Sequence, residues 1–131
     1  MPEENVEAIR AASDHFNESG TIPEQFYDHE VVFTIRGDLG HATYRGIDGM
    51  QAAVDAFREA WGTSAQGEIL DITGSGDVLV AEIRFRVRGA TSGVELEVDE
   101  GWAYWMRDGK ALRIEQHGSR QEALEAAGLS E

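Results

Sequence analysis

Two long stretches of strict alternation constrain this chain more than any other feature. In Val78–Arg88 one parity reads Leu79, Ala81, Ile83, Phe85, Val87, and the other reads Val78, Val80, Glu82, Arg84, Arg86, Arg88. In Val94–Arg107 one parity reads Val94, Leu96, Val98, Glu100, Trp102, Tyr104, Met106, and the other Glu95, Glu97, Asp99, Gly101, Ala103, Trp105, Arg107. A period of two is the signature of strands with one buried face. The five residues Gly89 to Gly93 join them, so the two strands form an antiparallel hairpin. Residues directly opposite share a face, which here requires an odd sum of their numbers, and 183 suits the loop. That register sets Arg88 against Glu95, Arg86 against Glu97 and Arg84 against Asp99. Each such opposite-charge pair is favourable by roughly 0.2–1 kcal/mol. The arginine run therefore reads as a solvated outer face rather than an anion site.

The remainder supplies helices and further strands. Val6, Ile9, Ala12, Ser13 and Phe16 recur at helical spacing over Asn5–Ser19, and Gly20 ends the run. Thr21-Ile22-Pro23-Glu24 has the form of a capping box opening a short helix that carries Phe26 and Tyr27. Val31–Ile35 predicts a strand, and Gly37 to Gly46 a glycine-spaced loop holding His41, Tyr44 and Arg45. Asp48-Gly49-Met50-Gln51 has the form of a second capping box. The helix after it places Met50, Val54, Phe57 and Trp61 on a core stripe, and Gly62 closes it. Strands follow at 66–73 and 111–117, with turns at Gly74–Asp77 and Asp108-Gly109. Ser119 with Glu122 opens a last helix through Ala127, stopped by Gly128. The order predicts an α+β fold: a four-strand antiparallel meander with the helices on one face.

The inner face holds the candidate chemistry. Across the second turn a sum of 218 pairs Tyr104 with Ile114 and Trp102 with Gln116, so Glu100 and Gln116 are the polar members of an apolar wall. Desolvation there favours a neutral carboxylic acid, able to act as general acid or oxyanion donor. A bulge at Gly101 would instead turn Glu100 outward. Trp102, Tyr104 and Phe85 are the expected walls, with Tyr44 and His41 near the mouth and Trp61 and Thr34 also in the expected pocket. His117 has outer parity beside Glu115, which points to a surface pair; His41 and His117 are the histidines considered for catalysis. The other end of the outer face, Val78, Val80, Ala103 and Trp105, is apolar and suggests a homodimer through that face.

Composition narrows the class. The 131 residues fit one domain, and 11 Lys and Arg against 25 Asp and Glu leave a net charge of −14. That charge argues against nucleic acid and anionic membranes as partners. Cysteine is absent, which removes thiolate catalysis and Cys-ligated metals. No apolar run approaches the ~20 residues of a membrane span. No secretory signal is read at the start, so a cytoplasmic location is expected. No histidine pair has metal-ligand spacing, and no nucleophile elbow is present.

Tyr44-Arg45-Gly46-x-Asp48-Gly49, Phe16-Asn17-x-x-Gly20, Arg107-Asp108-Gly109-Lys110 and the tail Arg120–Leu129 together resemble SnoaL-like proteins of the nuclear-transport-factor-2-like superfamily. The resemblance spans nearly the whole chain. It implies a cystatin-like cone, a curved antiparallel sheet wrapped by N-terminal helices around a pocket for a small hydrophobic molecule. It also implies frequent dimers and no cofactor requirement. Relatives include ketosteroid isomerases, limonene epoxide hydrolases and polyketide cyclases, and also many proteins of no known activity. The isomerase general base corresponds to Thr34 here, its helix tyrosine to a position near Ser13, and its protonated acid falls near Glu100. The epoxide hydrolase Arg–Asp spacing is absent. The resemblance therefore leaves an acid/base enzyme, a non-catalytic binding protein and an assembly module open.

Overall fold

The computed structural model describes residues 2–36, 41–62, 65–88 and 92–129. Helix α1 spans Pro2–Ser19 and strand β1 Tyr27–Arg36, with a 3₁₀ turn at Glu24–Phe26 between them. Strand β2 is Ala42–Arg45 and helix α2 Gly46–Trp61. Strands β3 (Gln66–Ser75), β4 (Val78–Arg88), β5 (Glu95–Arg107) and β6 (Lys110–His117) follow, and helix α3 spans Arg120–Ala127. Parts of the two expected loops, residues 37–40 and 89–91, lie outside the described residues.

The β4–β5 register holds at every pair from Val78↔Trp105 to Arg88↔Glu95, including Ile83↔Glu100 across from the cavity. Arg84 meets Asp99 at 2.7 Å, Arg86 meets Glu97 at 3.0 Å, and Arg88 pairs with Glu95. The β5–β6 pairs Tyr104↔Ile114 and Trp102↔Gln116 also stand as expected, until a bulge between Trp105 and Met106 shifts the ladder. No bulge occurs at Gly101. Its glycine is needed for another reason: a Cβ there would lie 2.3 Å from the Ser119 carbonyl oxygen, where the chain turns from β6 into α3.

Four local expectations are corrected. The sheet is not purely antiparallel, because β1 runs parallel to β6 and the six strands follow the order β2-β1-β6-β5-β4-β3. The predicted glycine-spaced loop contains β2, whose four residues pair with β1 and lay Tyr44 against Phe33, ring centroids 6.3 Å apart. Neither of the first two capping boxes forms. Thr21 instead bonds Ser19 and His15 through its hydroxyl, and β1 begins already at Tyr27. Helix α2 starts at Gly46 with Arg45 at the cap, which puts Asp48 in the first turn, where its charge favours the helix dipole. The third box does form: the Ser119 side chain accepts from the Glu122 amide at 3.1 Å.

The helices do not share one face. Helices α1 and α2 bury Ala8, Ile9, Met50 and Ala53 against the inner face, with Val31, Phe33, Leu79 and Ile114. Helix α3 crosses to the outer face, where Ala123 and Leu124 cover Val80 and Ala103, with Trp105 packed alongside. Of the apolar outer residues that suggested a homodimer, Val80 and Ala103 are thus covered by the chain's own last helix, and Trp105 packs beside it. An apolar outer patch needs an apolar partner, and the tail supplies one more cheaply than a second molecule does. On the sheet edge, Asn17 of α1 both donates to and accepts from the backbone of Gly67 (2.8 and 2.9 Å), satisfying β3 where no strand adjoins it.

Candidate functional site

Between the inner sheet face and helices α1 and α2 lies a cavity of about 400 Å³. That is ample for a small organic molecule. Its walls follow from parity. Odd residues of β1 (Phe33, Ile35), odd residues of β4 (Ile83, Phe85) and even residues of β5 (Val98, Glu100, Trp102, Tyr104) and β6 (Gln116) all line it. Helices α1 and α2 close it with Phe16, Phe57 and Trp61. Aromatic rings form much of the wall. Trp102 stacks on Phe33 at 5.2 Å between centroids and neighbours Phe85 at 6.0 Å, which meets Phe57 edge-on at 5.8 Å. Val98 also lines the cavity and is 40% exposed, which marks where the chamber meets solvent.

Glu100 is the one carboxylate lining the cavity among the described residues. The Trp102 indole N–H donates to its Oε1 at 3.1 Å, and the Gln116 side chain also bonds it. Burial pushes the Glu100 carboxyl above the ordinary carboxylate value, and these two hydrogen bonds offset only part of the rise. The group therefore gives up a proton reluctantly and takes one back readily. Such a carboxyl can serve as acid and base in successive steps.

The remaining sequence-predicted residues divide cleanly. Tyr44, Trp61, Phe85, Trp102, Tyr104 and Gln116 all line the cavity with Glu100. Thr34 does not: it has the opposite parity to Phe33 and Ile35, and its hydroxyl faces Thr43 at 3.5 Å on the outer side. His41 is exposed and outside the lining. His117 lies on the outer face, where its Nε2 meets Glu115 at 3.0 Å. The Glu–His pair is real but buried rather than superficial, because Arg36 and Arg113 also close on Glu115. Desolvation pulls the Glu115 carboxyl up, yet the bonds from Arg113 and His117 and the charges of Arg113 and Arg36 hold it below its usual range. Neither histidine reaches the cavity.

Among the lining residues that sequence reasoning missed, such as Phe33, Ile35 and Val98, Tyr27 carries a polar group. Placed in a short helix, it had no strand position; it is the first residue of β1, level with Ala111, and past a register irregularity before Val32 it packs against the core of Val31 and Phe33. Burial pushes its phenol up to about 12, and Tyr104 higher still. No group of three or more His, Asp or Glu side chains among the described residues is arranged to hold a metal ion. Among the described residues, no helix is long and apolar enough to cross a membrane.

Solved structures share this architecture. One is TerC co-crystallised with polyporic acid, at 21% identity and TM-score 0.75, covering 95% of this chain and 98% of that one. A protein assigned as a SnoaL-like polyketide cyclase from Jannaschia matches at 14% identity and TM-score 0.75, with 98% and 94% covered. A protein of ketosteroid isomerase-like fold from Catenulispora acidiphila, in complex with trimethylamine, matches at 13% and TM-score 0.74, with 95% and 94% covered. At these identities the likeness is one of fold. No curated protein matches the sequence. The profile of the SnoaL-like domain matches residues 5–114, most of the chain and all elements from α1 into β6. The chain therefore belongs to the SnoaL-like domain family.

Proposed function

We propose that the protein binds a lipophilic small molecule in this cavity and catalyses an isomerisation or cyclisation by proton transfer through Glu100. The observation that carries the reading is a lone carboxyl, raised above its ordinary pKa by burial, projecting into an aromatic chamber. In its ionised form Glu100 removes a proton from carbon beside a carbonyl; as the acid it returns that proton to a different atom. One group is enough for such a shift, since no net proton is gained or lost. Gln116 and the Trp102 indole position the carboxyl, and the ring walls exclude water. The structural relatives co-crystallised with polyporic acid or assigned as a polyketide cyclase support an aromatic or polyketide-like ligand.

The second reading is a binding protein without catalysis. It is favoured by the lack of a second carboxylate or any histidine in the described lining. The two separate experimentally. Lipophilic ketones, epoxides and polyketides are titrated against the tryptophan fluorescence of Trp102 and Trp61, and the ligands that bind are followed for turnover. Glu100→Gln is expected to keep binding within about twofold and to lose turnover by roughly 10²–10⁴. Turnover equal to the parent protein would remove Glu100 from the chemistry. Binding with no turnover in either protein would establish the second reading.

A further inference from the structure

Resting on the reading of the cavity as a ligand chamber, we infer that Tyr27 and Tyr104 form a two-donor clamp, remote from Glu100, for the carbonyl oxygen of an elongated aromatic ketone, an oxygen distinct from the carbonyl beside which Glu100 acts. Both tyrosines line the cavity, and neither phenolic oxygen has a hydrogen-bond partner in the protein among the described residues. Yet no buried side-chain oxygen is sealed away without a partner, so both hydroxyls open on to the chamber. When a ligand displaces water from these hydroxyls, an acceptor oxygen on the ligand replaces the lost hydrogen bonds, whereas an apolar group there leaves them unmade. Tyr27 stands level with Ala111 of β6, and Ala111 pairs with Met106 of β5, two residues from Tyr104, so the two phenols belong to one end of the chamber; desolvation raises both. Both stay protonated and so offer O–H donors, not phenolate acceptors.

The spacing specifies the ligand's length. Tyr104 and Glu100 share a face of β5 four residues apart, which is roughly 13 Å of strand. Between them stands the flat wall of Trp102, stacked on Phe33 at 5.2 Å and on Tyr104 at 6.4 Å. Tyr27 approaches from β1, across the intervening β6, where it is level with Ala111. A molecule that fills this path has a planar aromatic body, an acceptor oxygen at the phenol end and a second polar group near Glu100. A rounded aliphatic ligand or a plain hydrocarbon uses neither pole.

The test uses prodan, a naphthyl ketone whose emission responds to hydrogen bonding at its carbonyl, beside the same dimethylaminonaphthalene without the ketone. Both are titrated into the parent protein, Tyr27→Phe, Tyr104→Phe and the double variant. Each single variant is expected to lower the preference for the ketone by roughly five- to tenfold, and the double variant to lower it further. Affinity for the ketone-free probe stays unchanged, which also shows that the variants fold. Bound prodan emission moves to shorter wavelength as the donors are lost. If both probes bind and the preference is the same in all four proteins, the clamp is overturned while the ligand chamber stands. If neither probe binds the parent protein, the chamber reading falls and the clamp with it.

Discussion

Replacing Gly101 with alanine tests whether the junction between β6 and α3 is as tight as its geometry requires. A Cβ at this position would meet the Ser119 carbonyl oxygen at 2.3 Å, the Ser119 carbonyl carbon at 2.7 Å and the Arg120 Cα at 2.8 Å. The closest approach is roughly 1 Å short of ordinary van der Waals contact. All three atoms are backbone, so no rotamer change relieves the clash. The chain from Gly118 into α3 must move, and overpacking of this kind costs about 1–3 kcal/mol. Movement of Ser119 also weakens its cap on Glu122, worth about 1 kcal/mol more. The sum, about 3 kcal/mol, corresponds to a fall in Tm of about 12 °C for a domain of this size. Thermal unfolding followed by circular dichroism measures it. Gly109→Ala is the comparison: it has no neighbour within 4 Å but a φ of +76°, so its cost is backbone strain alone, about 1 kcal/mol. A loss at Gly101 no larger than the loss at Gly109, or a Tm within about 2 °C of the parent, would refute the steric reasoning.

Three other outcomes are expected. Glu100→Gln should stabilise the protein increasingly as pH rises above 4.5, because the folded carboxyl has the higher pKa and its unfolded counterpart ionises first; a Tm difference that does not vary with pH would contradict this. Glu115 behaves oppositely. Its folded pKa is lowered, so its contribution is present above 4.5 and is lost as pH falls through the folded value. Glu115→Gln should therefore cost about 1–2 kcal/mol at neutral pH and almost nothing in acid, as read by urea unfolding at each pH. Leu124→Ala should cost about 2–4 kcal/mol, because Leu124 is 1% exposed and covers Val80 and Ala103. Unfolding with an unchanged urea midpoint would show that α3 does not hold that face.

The residues alone determined the β4–β5 hairpin and its register, because period-two alternation and Arg–Asp and Arg–Glu pairing are local properties written into adjacent segments. From that register followed the inward set of Phe85, Glu100, Trp102, Tyr104 and Gln116, and so most of the chamber wall. Tertiary structure decided what local patterns leave open. The parallel pairing of β1 with β6 joins segments more than seventy residues apart, and no short-range signal encodes it. That pairing makes a strand of Tyr27 and turns Thr34 away from the chamber. The final helix has the same amphipathic pattern whichever surface it covers. Only the assembled sheet, with its bare strip of Val80, Ala103 and Trp105, drew it to the outer face and so occupied the surface that had looked ready for a second molecule. Apolar burial has no direction of its own, so where each greasy face ends up depends on all the others at once.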